Sequence, residues 1–408
     1  MRIKPLIPIL ASAGILLGAN GLVMTLVSIR AKMEGFSDSI VGLVGTSYFA
    51  GLMIACLVTA SLIKRAGHIR VFAALAAGAA IGTLLMILVI SPPVWIAARF
   101  LMGFCFAGVA MVLESWLNEL STSNDRGRVL SLYRVVDLCF VTGFQFILPV
   151  VGVEGFQIFA VAAILLCLAL VPVSLSRLSN PSVPESSFPK PLKLWALSPV
   201  ACFGVITIGL NNAAFRTVGP VYAQGMGLSV DQVAIFIGLG IFAGAITQYP
   251  LGMMSDRFDR RYVLLFASTG AMLASTSTWL GLGETGVFLG AFLFGGFAFP
   301  LYSLSIAHAN DYAKPGQYVE MAAGMTLFYG IGASVGPFAS SLVMQNFGPQ
   351  HFFTYTACLH LTFLIFILYR MTRRASLPRR LRKQYVSLMR TSPAIFKLAR
   401  SISDKRTK

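Results

Sequence analysis

Gly252-Met253-Met254-Ser255-Asp256-Arg257-Phe258-Asp259-Arg260-Arg261 separates two long apolar segments. A short stretch that places five charges between two membrane-length segments reads as a tight connection at a water interface. An earlier loop, Ala60–Ile69, reads Ala-Ser-Leu-Ile-Lys-Arg-Ala-Gly-His-Ile. Arg257 follows Arg65 by 192 positions, and the same offset relates Asn212 to Asn20, Gly227 to Gly35, Ser229 to Ser37 and Asn310 to Asn118. Any one pair is chance; the set at one offset, with a local gap near Phe49, indicates two copies of one unit. Weak internal symmetry of this kind marks membrane folds built from repeats.

Composition sets the class. The 408 residues are 56% hydrophobic and 12% charged, with mean hydropathy +0.78. Most of this surface must face lipid or other helices in lipid. The net charge is +17, but Arg370–Lys408 alone holds 13 Lys/Arg against one acid, Asp404. A basic tail beside a membrane reads as cytoplasmic and lipid-facing, so the charge does not call for nucleic acid. The cysteines, at 56, 105, 139, 167, 202 and 358, all fall in apolar segments, which argues against a disulfide framework and matches no metal spacing. The first apolar run is too long for a signal-peptide core and lacks a small-residue cleavage site, so it reads as a retained helix.

A helix crosses a bilayer core with about 20 residues. Twelve segments qualify: Leu6–Ile29, Ile40–Ile63, Val71–Ile90, Val94–Leu117, Val129–Val150, Phe156–Leu175, Pro199–Tyr222, Val230–Met254, Tyr262–Leu282, Val287–Ala309, Met321–Met344 and Phe352–Tyr369. Alternate loops carry Lys64, Arg65 and Arg70; Arg126 and Arg128; Arg177, Lys190 and Lys193; Arg257, Arg260 and Arg261; and Lys314. These loops and both termini are expected in the cytoplasm. The Pro- and Ser-rich stretch Arg177–Leu197 reads as an extended linker. The expected organisation is a first six-helix bundle with linker at 1–190, a second at 191–369, and a basic tail at 370–408. In the tail, Leu381, Tyr385, Leu388 and Met389 recur at helical spacing among Arg382, Lys383 and Arg390, which suits a helix on an anionic inner leaflet.

Two six-helix halves, each with a basic loop after its second helix, resemble the major facilitator superfamily over about Leu6–Tyr369. The family loop runs Gly-x-Leu-x-Asp-Arg-x-Gly-Arg-Arg; Gly252, Asp256, Arg257, Arg260 and Arg261 match, while Asp259 replaces a glycine. In the first copy Ala60 and Lys64 replace the glycine and aspartate, and Arg65 and Gly67 remain. Arg99 and Gly103 resemble the family's Arg-x-x-x-Gly pattern, and Glu119 with Arg126 its Glu-x6-Arg pattern. Gly332-x-x-x-Gly336-Pro337 resembles a bend associated with antiporters, although antiporters carry it in the fifth helix. Glu114-Ser-Trp-Leu-Asn118 and the stretches from Phe299 to Tyr302 and His308 to Asp311 resemble the YcaD-like branch. The resemblance implies an all-α membrane protein of twelve transmembrane helices in two pseudo-repeat bundles, in the inner membrane of a bacterium.

Ionisable residues inside spans are rare and costly, ~2.5–3.5 kcal/mol at a helix centre on insertion scales. The reading singles out Arg99, Glu114, Arg134, Asp137 and Arg216. Glu114 and Arg134 lie ~9 Å inside the cytoplasmic ends of antiparallel neighbours, and Asp137 is one turn deeper. A Glu114–Arg134 pair is possible, and Asp137 could share Arg134. An acid that loses a cationic partner as helices move can exchange a proton, so these three are proton-coupling candidates; a static network is the alternative. Arg99, Arg216, Asn20, Asn211 and Asn212 are substrate-binding candidates near the midplane, with interhelical hydrogen bonding as the alternative. Gln145 and Gln248 read as less well placed. Arg65, Glu119, Arg126, Asp256, Arg257, Arg260 and His308 are gating candidates at the cytoplasmic ends. Asp256 is expected to latch the eighth helix to the eleventh.

No Walker-type loop, metal cluster or nucleophile–base pair is visible, so the expectation is no enzyme and no cofactor. The reading is a monomeric secondary active transporter of a small solute, proton-coupled and working by alternating access, with export one option. The alternatives are an uncoupled uniporter and a membrane sensor that keeps the fold but transports nothing.

Overall fold

The computed structural model describes residues 6–121, 126–176, 191–276, 279, 282–313, 318–375, 377–378, 382 and 385; in 126–127, 318–320 and 322 only the backbone is described. The described chain is helical and contains twelve spans. They are Ile7–Met33, Asp38–Ala66, His68–Leu88, Pro92–Leu120, Arg126–Gln145 continued by Ile147–Val151, and Gln157–Leu168 continued by Val171–Ser174. The second half has Pro199–Thr217 continued by Gly219–Gly225, Val230–Arg257, Arg260–Thr276, Gly283–Ala298 continued by Leu301–Asp311, Tyr318–Phe347 and Phe352–Arg373. Among the described residues ten helices are long and apolar enough to cross a membrane, and an eleventh candidate is the seventh span taken with the short helix before it. The ninth, at 17 described residues, completes the set. Ile164, Phe266, Leu273 and Ile365 stand at least half exposed on helix exteriors, as a lipid-facing belt requires.

Three expected boundaries change. The seventh span breaks at Val218, two residues before Pro220, and the tenth at Phe299–Pro300, because proline lacks the N–H that an uninterrupted helix needs there. The linker was expected to be extended through Leu197; residues 177–190 lie outside the described set, and Pro191–Leu197 is a helix that meets Pro199–Thr217 at 116°.

The repeat is visible in the packing. In the first half the first span packs on the fifth, the second on the fourth and the third on the sixth; in the second half the seventh packs on the eleventh, the eighth on the tenth and the ninth on the twelfth. A Cβ on Gly103 would sit 1.8 Å from the Tyr48 carbonyl oxygen, and a Cβ on Gly295 would sit 2.1 Å from that of Gly240. Both positions of the second crossing are offset by 192 from the first. Gly35 and Gly227 share a left-handed φ of 79° and 90°, which glycine adopts without strain. Ser37 and Ser229 follow them as N-caps of the second and eighth spans.

We refer to the side bearing Gly252–Arg261 as the basic face and to the other as the far face. Between the halves, the second span runs along the eleventh. Ser39 N–H donates to Gln345 at 3.0 Å, and Ser28 donates to the Thr217 carbonyl across the first and seventh spans. Gly42 and Gly45 let Ser341 and Pro337 approach at the same level. These contacts clamp the halves on the far face. The pseudo-equivalent pair, the fifth and eighth spans, packs less extensively.

Candidate functional site: a charged cavity between the halves

Helical spacing of three and four residues turns one stripe of each span towards a central cavity. Leu17, Asn20 and Met24 come from the first span, Tyr48, Phe49 and Leu52 from the second, and Arg134, Asp137 and Val141 from the fifth. Phe106 of the fourth, Arg216 of the seventh and Tyr329 of the eleventh complete the lining, around about 630 Å³ of empty space including the opening. Both halves therefore contribute charge to one site.

At one corner the Tyr48 hydroxyl donates to Asn20 Oδ1 at 2.9 Å. Behind it lies Arg99, 1% exposed, with its guanidinium 4.4 Å from the Tyr48 ring centroid and Nη2 2.9 Å from Met24 Sδ. Its Nε and Nη1 make no hydrogen bond, and among the described residues no carboxylate reaches it. A desolvated cation–π contact contributes roughly 2 kcal/mol, well short of the cost of a buried charge. Arg99 is thus an uncompensated cation one side chain from the cavity.

At the other corner Arg134 Nη1 pairs with Asp137 Oδ2 at 2.7 Å. Arg134 Nη2 donates to Gln248 Oε1 at 3.4 Å, and Gln248 donates on to Ser303 at 2.9 Å. This network spans both halves and joins the fifth, eighth and tenth spans. The anticipated Glu114–Arg134 pair does not form: Glu114, 1% exposed, accepts from the Tyr133 hydroxyl at 3.3 Å and is not part of the lining. The i,i+3 partner on Arg134's own helix wins it. Gln248, ranked low from sequence, is the bridge between the halves.

The other substrate candidates separate. Asn20 and Arg216 line the cavity. Asn211 donates to the Thr207 carbonyl within its own helix, while Asn212 is buried with neither amide atom bonded, and both lie off the lining.

The gating candidates divide likewise. Arg65, Glu119 and Arg257 are exposed, and the Arg126 side chain lies outside the described residues. Arg260, 1% exposed, binds Asp311 of the tenth span at 2.7 Å and Ser255 at 2.6 Å, and stands 3.7 Å from Asp256. Among the described residues the expected bond from Asp256 to the eleventh span is not seen, and Arg260 ties the eighth and ninth spans to the tenth. Asp256 also accepts from the Tyr385 N–H at 2.8 Å, and Gly252 leaves room for the Tyr385 ring. His308 is buried beside Tyr312, with ring centroids 5.3 Å apart. Burial alone would raise the Asp259 carboxyl; hydrogen bonds from Arg261 outweigh it and hold Asp259 below the usual carboxylate range.

Asp311 and His360 were missed as buried ionisable residues. Asp311 had a signal: it lies 192 positions after Glu119. His360, against Ser268 at 3.2 Å, had none beyond its place in an apolar run.

The sequence matches the profile of the Major Facilitator Superfamily over residues 9–201 and again over 201–402. The chain belongs to the major facilitator superfamily. The doubled match falls on the two structural repeats. Among its relatives, an MFS-type transporter called YcaD in Escherichia fergusonii is 27% identical over 92% of this chain and 98% of its own. That of Shigella flexneri serotype 5b is 28% identical over 90% and 95%. In fold the chain is similar to the nucleoside transporter NupG, with a TM-score of 0.75 at 14% identity over 92% of this chain and 100% of that one. It is also similar to the D-xylose-proton symporter, with a TM-score of 0.66 at 14% identity over 90% and 97%. It is a multi-pass membrane protein of a transporter family, not an enzyme.

Proposed function

We propose that this protein is a proton-coupled secondary transporter of the bacterial inner membrane, moving a small solute through the central cavity by alternating access. The halves are 1–190 and 191–369, the tail is 370–408, and the basic face with both termini is cytoplasmic. The Arg134–Asp137 pair on the cavity wall carries the reading, because it is the point where protonation can change the charge that both halves share. With Asp137 ionised, Arg134 is held in the fifth span's own pair. With Asp137 protonated, Arg134 is free to turn further towards Gln248 or towards solute, so protons bias the equilibrium by their differential affinity for two arrangements. Glu114, off the lining and accepting from Tyr133, is the second candidate for the titrating group. The second reading follows from the buried Arg99: one side chain from the cavity and met by no carboxylate among the described residues, this cation favours a solute with a negative group. Such a solute brings its own proton demand, which fits symport; the far-face clamp leaves the basic face to release or admit it.

The test uses proteoliposomes loaded with a pH-sensitive dye and a panel of small monocarboxylates added outside. A responding solute should move protons with it, and Asp137→Asn should abolish that proton movement while solute exchange down its own gradient continues. Unchanged proton movement in Asp137→Asn and in Glu114→Gln would remove both residues from coupling and leave them a static network, solute flux with no proton movement in the parent would favour uniport, and no flux of any solute would favour the sensor.

A further inference from the structure

A second pocket lies at the basic face, remote from the cavity. Ser198, Pro199 and Val200 line it from the start of the seventh span, with Arg261, His308, Tyr312, Arg370 and Arg374 around them. Its empty space is about 280 Å³ including the opening. Ser198 is the N-cap of the 19-residue helix Pro199–Thr217, yet its side chain makes no capping bond. Its hydroxyl is buried, the residue being 1% exposed, and has no hydrogen-bond partner. A helix N-terminus presents unused N–H groups and a positive dipole end to whatever occupies this space.

The charges around it are arranged for an anion. Arg374 is held in place by its bond to the Leu197 carbonyl at 2.9 Å and by stacking 4.0 Å from the Tyr312 ring centroid. Arg261 braces it by donating to the Arg374 carbonyl at 2.7 Å. Among the described residues the Arg370 side chain has no hydrogen bond or ion pair. The nearby acids are already engaged, Asp259 by Arg261 at 2.8 Å and Asp311 by Arg260 at 2.7 Å. Among the described residues the pocket therefore keeps the charge of Arg370 and Arg374 uncompensated. It also sits at the level of the helix Pro191–Leu197, which turns sharply away from the seventh span and leaves Leu192 and Trp195 exposed, as an interfacial helix does.

We propose that this pocket binds a phosphate-ester anion, supplied by the headgroup of an anionic phospholipid, with Arg370 and Arg374 as the charged ligands and the Ser198 hydroxyl and the Val200 and Ala201 amides as donors. Arg–phosphate pairing and a helix N-terminus are the matching chemistry.

The full-length protein in zwitterionic micelles should be titrated with short-chain phosphatidylglycerol, and separately with glycerol phosphate and inorganic phosphate, reading thermal unfolding and bound mass. Phosphatidylglycerol is expected to saturate and to stabilise the fold. Arg370→Gln with Arg374→Gln should weaken it about ten-fold or more, in line with the loss of two charge-assisted contacts. Ser198→Ala keeps every charge and should weaken it about three-fold. Lys64→Gln with Arg70→Gln removes the same charge from exposed positions of the other half and should change nothing. Equal binding by the arginine double variant, or an equal loss in the control, overturns the site. Saturation by inorganic phosphate with no added effect of lipid overturns the lipid source.

Discussion

Arg99 enters the fourth span with no acid to meet it, and its surroundings explain both its cost and its use. The Tyr48 ring and Met24 sulfur recover part of the desolvation, and the unbonded Nε and Nη1 leave the rest outstanding. Replacing a poorly compensated buried charge by an apolar group of similar length is often neutral or stabilising, by ~1–4 kcal/mol. Arg99→Met is therefore expected to raise or preserve thermal stability in detergent while weakening retention of anionic solutes; a clear fall in stability would show that Arg99 is a packing element only. Arg99 and Asn20 were legible because charge and amide stand out in an apolar helix. Tyr48, which joins them, was not, since tyrosine in such a helix is ordinary. Nor could one sequence tell that Arg134 would choose Asp137 over Glu114, because both partners fit its spacing and only the helix rotation decides.

The spans were legible as elements from hydropathy alone, but their glycine crossings were not. What decides a crossing is which glycine meets a backbone. Gly103→Val and Gly295→Val each force a side chain onto a carbonyl and should each cost about 1–3 kcal/mol or more, seen as lost yield and lower unfolding temperature. Gly143, which has open space around its Cβ position, should tolerate alanine with no such loss. Unequal outcomes at Gly103 and Gly295 would show that the two halves do not share this crossing. The stretch Gly252–Arg261, which is the end of the eighth span, a two-residue turn and the start of the ninth, behaves as a unit too. Its Asp259 is held below the usual carboxylate range, so its contribution is present above the unfolded value and is lost as pH falls through the lower folded value. The parent protein should lose this increment only in acid below that range, and Asp259→Asn should show a flatter stability profile there. Identical acid profiles would remove Asp259 from the account. The breaks at Val218 and Phe299 were partly visible in Pro220 and Pro300; the helix Pro191–Leu197 was not, because its prolines read as an extended linker.

At the scale of the molecule, the 192-residue offset announced two copies, and the packing repeats on that offset from Gly103 to Gly295. What no single repeat contains is the difference between the copies. Lys64 and His68 stand where Asp256 and Arg260 stand in the second half, so the buried latch to Asp311 exists only there. The asymmetry between the two faces is likewise a property of the assembled pair: the far face is clamped through Ser28, Ser39 and Gln345. The central claim is that protonation at Asp137 shifts the halves between two arrangements. It is tested most directly by paired spin labels, in a background with the native cysteines replaced. One pair, at Lys64 and Tyr262, spans the basic face; the other, at Met33 and Phe347, spans the far face; all four positions are exposed. Asp137→Asn stands in for the protonated acid, so at one fixed pH it should change the two distance distributions relative to the parent, in opposite senses on the two faces. Identical distributions in the parent and in Asp137→Asn, or a change of the same sense on both faces, would contradict the account.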